Sequence, residues 1–341
     1  MEKIFKDKKI LVTGGAGSIG SEIVRQLLKY NPKVVRILDN NEGAQFLFSH
    51  ELENYKNVRF LIGDVRDIDR IKTAMDDIDI IFHAAALKHV PLCEDNPFEA
   101  VMTNTIGTQN VIKAALSRNV EKVIVISTDK ATNPVNTMGA TKLLAEKLTI
   151  AINRRTGENK TKFSCVRFGN VMGSNGSVIH LFKDQIKNKK PVTITEPKMM
   201  RFIMSVQEAI RLVLKSVEHM QGGEIFILKK PVFNLMDFAE VIIEEIAPKH
   251  GIKPKDVKIK EIGSRPGEKI YESLMTEDEA NNALEIDDMF IVMPHKTLGL
   301  DINPSAYIGA KKCTLRDYNS MNSKRLSKQE LKELLYEINL L

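Results

Sequence analysis

From Lys9 onward the chain alternates short apolar runs with longer amphipathic stretches. The apolar runs occupy residues 9–13, 34–38, 58–62, 78–82, 123–127 and 163–167, and turn residues bound each of them. Runs that are apolar nearly throughout suit strands buried on both faces. Between the first two, residues 18–30 place Ile19, Ile23, Val24, Leu27 and Leu28 on one helical stripe. Strand and helix in alternation require right-handed crossovers. The pattern therefore predicts an α/β fold, a Rossmann-like doubly wound parallel sheet.

Beyond about Asn170 the texture changes. Residues 173–177 read as a loop, followed by a helical stretch and then by residues 191–197, which carry a proline at each end. A helix over 205–219 and a strand over 224–228 read as a return to the first sheet. Residues 1–170 with about 201–228 thus form the sheet domain. Residues 171–200 with about 229–295 form a smaller mixed α/β substrate lobe. Residues 296–341 read as a tail of weak periodicity ending in a helix over 327–340. A chain of 341 residues has room for two such units.

Three dispersed cysteines, Cys93, Cys165 and Cys313, offer neither a disulfide framework nor a zinc spacing. The seven histidines are equally scattered, so no metal site is expected. The first nine residues are interrupted by charges, and nowhere do 18 apolar residues run together. A cytoplasmic protein that does not cross a membrane is expected. Lys plus Arg is 50 against 44 for Asp plus Glu, a net charge of +6. Such an excess fits nucleic acid, an anionic membrane surface, a phosphorylated small molecule or a merely solvated surface. No nucleic-acid recognition motif accompanies it. Residues 171–200 carry a net +3 and residues 249–269 a net +4, both in the smaller lobe. That placement favours a phosphorylated substrate.

The first run leads into Thr13-Gly14-Gly15-Ala16-Gly17-Ser18-Ile19-Gly20, with glycines spaced G-x-x-G-x-x-G. Glycine permits the tight turn and lets backbone approach a pyrophosphate, while the following helix directs its amide-rich end at the phosphates. Because the motif follows a strand and opens a helix, it reads as a dinucleotide site held by Gly14, Gly17, Ser18, Ile19 and Gly20. Asp39, 19 positions beyond Gly20, can accept from both ribose hydroxyls of NAD and repel a 2′-phosphate. The other reading of Asp39 is a turn residue. Lys33 and Arg36 lie nearby, so NADP is the less favoured cofactor. Asp64 and Val65 close the third strand on the adenine side, and Ala84 and Ala86 leave room for a flat dinucleotide.

Ser127-Thr128-Asp129-Lys130 ends the fifth strand, at the edge where open sheets bind ligands. Met138 and Lys142 follow with i, i+4 spacing on one face of a helix. The glycine loop, the strand-five Ser/Thr and this Lys resemble the extended short-chain dehydrogenase/reductase family. That family ordinarily has Tyr where Met138 stands. Further segments narrow the resemblance: Ala85-Ala86-Leu87-Lys88-His89-Val90-Pro91, Ser127-Thr128-Asp129-Lys130-Ala131, Arg167-Phe168-Gly169-Asn170-Val171, Met199-Met200-Arg201-Phe202 and Arg265-Pro266-Gly267-Glu268-Lys269. In this order they resemble the UDP-N-acetylglucosamine 4,6-dehydratases of bacterial surface-sugar pathways, over about residues 8–294.

The resemblance implies oxidation at C4 by NAD, loss of water across C5 and C6, and return of the hydride to C6. It implies Thr128 bonded to the C4 oxygen, Asp129 as acid and Lys130 as base, with a depressed pKa expected for Lys130. Lys142, or Asp129 through water, would replace the missing phenolate. It further implies that Lys88, Asn170, Val178, Thr193, Met199, Arg201, Arg265 and Glu268 line the UDP-N-acetylhexosamine, Arg201 and Arg265 gripping the phosphates. A homo-oligomer is expected. Two other functions stand beside this one: a nucleotide-sugar C4-epimerase, and a non-catalytic NAD-binding regulator suggested by Met138.

Overall fold

The computed structural model describes residues 1–155, 160–173, 177–295, 298–300 and 302–341. Residues 174–176, the middle of the expected 173–177 loop, lie outside the described residues. In chain order the strands are β1 (Lys9–Thr13), β2 (Val34–Asp39), β3 (Val58–Ile62), β4 (Ile80–His83), β5 (Lys122–Ile126), β6 (Lys162–Arg167), β7 (Asn170–Val171) and β8 (Val192–Ile194). They continue with β9 (Met200–Met204), β10 (Ile225–Leu228), β11 (Val232–Asn234), β12 (Ile259–Glu261), β13 (Ser273–Met275), β14 (Ala283–Ile286), β15 (Met289–Val292), β16 (Lys311–Lys312) and β17 (Tyr318–Asn319).

Ten of these form one sheet in the order β16–β14–β15–β10–β6–β5–β4–β1–β2–β3. The seven strands from β10 to β3 run parallel. The Rossmann-like doubly wound architecture is thus the one the alternation implies. Ile10 and Val12 face a layer built by Ile23, Val24 and Leu27 of the helix Ser18–Leu28 and by Ile210, Val213 and Val217 of Val206–His219. Leu11 faces the other layer, with Val111 and Ile112 of Gly107–Ser117 and Ile150 of Thr137–Ile152. Each fully buried Ile or Leu contributes about 1.5–3 kcal/mol. The expected run 78–82 becomes β4 at Ile80–His83. Asp79 is used for pairing instead: its carboxylate accepts from the Lys9 N–H at 2.7 Å, and its own N–H donates to the Lys9 carbonyl at 2.8 Å.

Three boundaries differ from the sequence reading. Asn170 and residues 201–204, expected in the sheet domain, lie in β7 and β9, which pair with β11 in a separate three-stranded sheet of the smaller lobe. Residues 283–292, expected in the smaller lobe, form the hairpin β14–β15 that extends the central sheet antiparallel from β10. An apolar hairpin and a lobe strand have the same texture in sequence; the open edge of β10 decides where this one pairs. The tail is not a separate unit either. β16 joins the sheet beside β14, and Leu331 and Leu335 of the helix Lys328–Glu337 enter the core of the smaller lobe. That core also holds Ile179 and Phe182 of Val178–Lys187 and Phe238 and Ile242 of Leu235–Ile246. No helix among the described residues is long and apolar enough to cross a membrane.

Candidate active site

The sheet reverses winding between β1 and β4, and a cleft opens at the carboxyl ends of these strands, the position where doubly wound sheets take ligands. A cavity of about 770 Å³ runs from there into the smaller lobe. Its floor at the sheet end is the glycine loop. Gly14 has φ +65°, and a Cβ there would lie 2.6 Å from the Ala85 backbone. A Cβ on Gly20 would lie 2.2 Å from the Gly14 carbonyl oxygen. Glycine is therefore obligatory at both positions, and the loop presents bare backbone to the cavity. Gly14, Gly17, Ser18, Ile19, Gly20, Ala84 and Ala86 all line it.

The other residues expected at the dinucleotide stand differently. Asp39 buttresses the loop, accepting from the Ala16 N–H and the Asn41 N–H, each at 3.0 Å. Asp64 is held by the Arg66 guanidinium at 2.7 Å and 3.0 Å and accepts from Asn40 at 3.2 Å. Arg66 keeps its carboxyl below the ordinary range. Val65 is buried and lies where a Cβ on Gly107 would meet it at 2.7 Å. Asp39, Asp64 and Val65 are not among the residues that line the cavity.

Beyond β5 the chain turns through Thr128, Asp129 and Lys130, all three at the cavity wall. Thr128 caps a short 3-10 turn, and its hydroxyl donates to Asp129 Oδ1 at 2.8 Å. Lys130 Nζ donates to the same oxygen at 3.0 Å. Asp129 is fully buried, and its Oδ2 has no hydrogen-bond partner. The depressed pKa expected for Lys130 is reversed. Burial works against its ammonium, but Asp129 and Glu272 outweigh burial and hold Lys130 above the ordinary lysine value.

Met138 and Lys142 lie on the helix Thr137–Ile152, capped by Asn136, whose side chain accepts from the Gly139 N–H. Both residues are buried and reach the cavity. Met138 packs with Cys93 and Ala100. Lys142 Nζ donates to the Ile126 carbonyl at 2.6 Å, and burial lowers its pKa. Lys88 is likewise lowered by desolvation. His83, at the end of β4, lies between Thr13 Oγ1 at 2.7 Å and Thr108 Oγ1 at 3.0 Å. Burial, then the charge of Lys142, pushes it down to about 3, so it is neutral at ordinary pH.

From the smaller lobe, Asn170, Val178, Thr193, Met199, Arg201, Arg265 and Glu268 line the far end of the cavity together with Lys88 from the sheet side. Arg201 is already committed to backbone: it donates to the carbonyls of Met200 and Ile270 at 3.0 Å and Lys269 at 2.7 Å. Arg265 and Glu268 close a turn, the Glu268 carboxylate accepting from the Arg265 N–H at 3.1 Å. That turn docks on the Met138 helix, since Asn136 donates to the Gly267 carbonyl at 2.8 Å. The lysines behind the lobe's positive charge are elsewhere. Lys187, Lys189, Lys190, Lys198, Lys249, Lys253, Lys255, Lys258 and Lys260 are exposed and none lines the cavity; of those two basic stretches only Arg265 supplies it a cation. The net charge is therefore mostly solvated surface.

Sequence reading missed the support beneath the site. Ser127 donates to Glu146 at 2.5 Å, and Glu146 pairs with Arg167 at 2.6 Å and 3.0 Å. Arg167 in turn binds Glu279 and the Leu274 carbonyl. Nothing in the local pattern of Glu146 distinguishes it from a surface glutamate.

The sequence profile of the polysaccharide biosynthesis protein family matches residues 10–294. The chain belongs to that family. An uncharacterized membrane protein of Methanocaldococcus jannaschii is 57% identical over 341 residues, all of this chain and 99% of that one. A UDP-glucose 4-epimerase of Rickettsia bellii is 43% identical over 343 residues, covering 98% of this chain and 97% of its own. The X-ray structure of Pen from Bacillus thuringiensis superposes with a TM-score of 0.91 at 47% identity, covering 99% of both chains. The likeness to these relatives therefore runs over 98–100% of this chain. The fold is a Rossmann-like, mostly parallel sheet with helices on both faces.

Proposed function

We propose that this chain catalyses the NAD-dependent 4,6-dehydration of a UDP-N-acetylhexosamine, UDP-N-acetylglucosamine first among them. The observation that carries the reading is the Thr128–Asp129–Lys130 turn, set on one cavity between the glycine loop and the Arg265–Glu268 turn. The bare backbone of Gly14, Gly17 and Gly20 fits a pyrophosphate, and the Asp39 carboxylate fits a ribose whose 2′ position carries no phosphate. When bound, NAD supplies reversible hydride acceptance and is regenerated in each turnover.

The chain's own residues do the proton work. Thr128 binds the C4 oxygen of the sugar. Its hydroxyl already touches Asp129 Oδ1, so a proton leaving C4–OH has a path to the carboxylate. Asp129 then protonates the departing C6 hydroxyl. Lys130 takes the C5 proton, made acidic by a C4 ketone. Lys142 fixes the end of β5 through the Ile126 carbonyl and places a lysine beside Met138, where the extended short-chain dehydrogenases that the chain resembles ordinarily have Tyr. Arg265 meets the diphosphate at the cavity mouth, and Arg201 holds the wall against which it lies.

Incubation with UDP-N-acetylglucosamine and mass spectrometry test the proposal. A product lighter by one water, carrying one solvent deuterium at C5 when made in heavy water, is expected. No water loss from any UDP-hexosamine refutes it. The Rickettsia relative's name favours a second reading, a C4-epimerase. Epimerisation leaves mass unchanged and requires no C5 base, so Lys130→Ala would leave it largely intact. A homo-oligomer acting in the cytoplasm completes the proposal, checked by light scattering and by fractionation.

A further inference from the structure

Lys130 must lose a proton before it can act on C5, yet its surroundings favour the ammonium. Behind it, away from the cavity, lies Glu272. Glu272 is 3% exposed, and its Oε1 stands 3.6 Å from Lys130 Nζ. Its Oε2 is buried with no hydrogen-bond partner, as is Asp129 Oδ2 on the other side of the lysine. Ser320 pins the Glu272 backbone from both directions, its hydroxyl accepting at 3.0 Å and its N–H donating at 2.8 Å. The charged groups acting on Glu272 are Lys130, Asp129, Arg201 and Lys269, and Lys269 is itself bonded to the Thr132 carbonyl.

We propose that Glu272 is a positioning residue that accepts the Lys130 ammonium proton, so that Lys130 meets the substrate as a neutral amine. This rests on the 4,6-dehydration reading. One Nζ–H bond breaks and one O–H bond forms on Glu272. The freed lone pair then takes the C5 proton and restores the ammonium. When that proton returns to C5, Glu272 returns its own to Nζ.

Charge favours an internal acceptor over water, and Asp129, the other carboxylate, is already engaged through Thr128 with the proton passing from C4 to C6. Two carboxylates around one ammonium carry a net charge of −1, and transfer from Lys130 to Glu272 leaves it at −1. Release of the same proton to water would leave −2 in a buried site, which desolvation disfavours. Burial also raises the Glu272 carboxyl above its ordinary value, the direction an internal proton acceptor requires.

The test is the pH dependence of kcat in Glu272→Gln. Wild type keeps its proton count through the transfer, so kcat is expected to be flat between about pH 7 and 9. In Glu272→Gln the proton must go to solvent. Its kcat should fall about tenfold for each unit of pH below the Lys130 pKa. Glu272→Asp should restore the flat profile at lower amplitude. Parallel profiles for wild type and Glu272→Gln would overturn the proposal, since a merely structural loss lowers kcat equally at every pH. A second readout needs no turnover. The 15N resonance of Lys130, assigned by its loss in Lys130→Arg, should titrate at lower pH in Glu272→Gln; an unchanged titration also overturns the proposal. If wild type loses no water while that shift is present, the dehydration reading fails and the Lys130–Glu272 coupling stands.

Discussion

Gly139 shows how little space a single residue leaves at this site. A Cβ there would lie 2.2 Å from the Lys130 carbonyl oxygen, a backbone atom that cannot swing away. Gly139→Ala should therefore push the Met138 helix from the Asp129–Lys130 turn. A misplacement near 1 Å lowers turnover by about 100-fold, and steady-state kinetics on the folded variant measure it. His83 sets a different limit. Its folded-state pKa of about 3 lies below the unfolded value, so the unfolded chain binds a proton that the fold refuses. This stability is complete above pH 6.5 and is lost as pH falls toward 3. At pH 5 the loss from His83 is about 2 kcal/mol. His83→Gln should remove that increment from the difference between urea unfolding at pH 7 and pH 5; an unaltered difference contradicts it. The glycine loop was legible because a glycine motif declares a backbone shape. Glu272 was not, because one glutamate in Tyr271-Glu272-Ser273 has no local signature of burial.

At the scale of elements, the Glu146–Arg167–Glu279 network ties the helix Thr137–Ile152 to β6 and to the short helix Glu277–Asn281. Arg167 and Glu146 are each 1% exposed. Removing the arginine leaves two carboxylates facing one another without a cation. Arg167→Met should cost about 3–5 kcal/mol at pH 7, the range for breaking one side of a buried pair. Denaturant unfolding measures it, and adding Glu146→Gln should recover part of the loss. Strands β1, β4, β5 and β6 could be read from the chain because burial on both faces writes a nearly unbroken apolar run. By contrast β3, at the sheet edge with Arg59 and Ile62 exposed, shows only a mostly apolar one. The hairpin β14–β15 could be read as apolar, but its partner could not. Pairing with β10 is a contact across some 60 positions, which no window of sequence contains.

At the scale of the molecule, the terminal helix is part of the smaller lobe and not an appendage. Ser327 and Glu330 form a reciprocal cap at its start, and Leu335 is fully buried at its far end. Leu335→Ala should destabilise the fold by about 2–5 kcal/mol, checked by thermal unfolding. A value near zero would mean that the helix contributes no core. Charge follows the same logic of placement. Because the lobe's lysines stand outside the cavity, reversing Lys249, Lys253 and Lys255 together to Glu should change KM for a UDP-sugar less than twofold. Arg265→Ala, by contrast, removes a cation at the cavity itself and should raise KM about tenfold or more, the equivalent of one charge-assisted contact.

The sequence by itself determined the parallel part of the sheet, the glycine loop and the order of Thr128, Asp129, Lys130, Met138 and Lys142 along the sheet edge. These are local properties: periodicity, steric permission and spacing travel with the chain wherever it folds. Only the tertiary structure decided which charges meet. It set Lys130 between Asp129 and Glu272, committed Arg201 to carbonyls and left the lysine excess in solvent. A side chain's charge state and partners depend on what packs beside it, and folding alone brings those residues within reach.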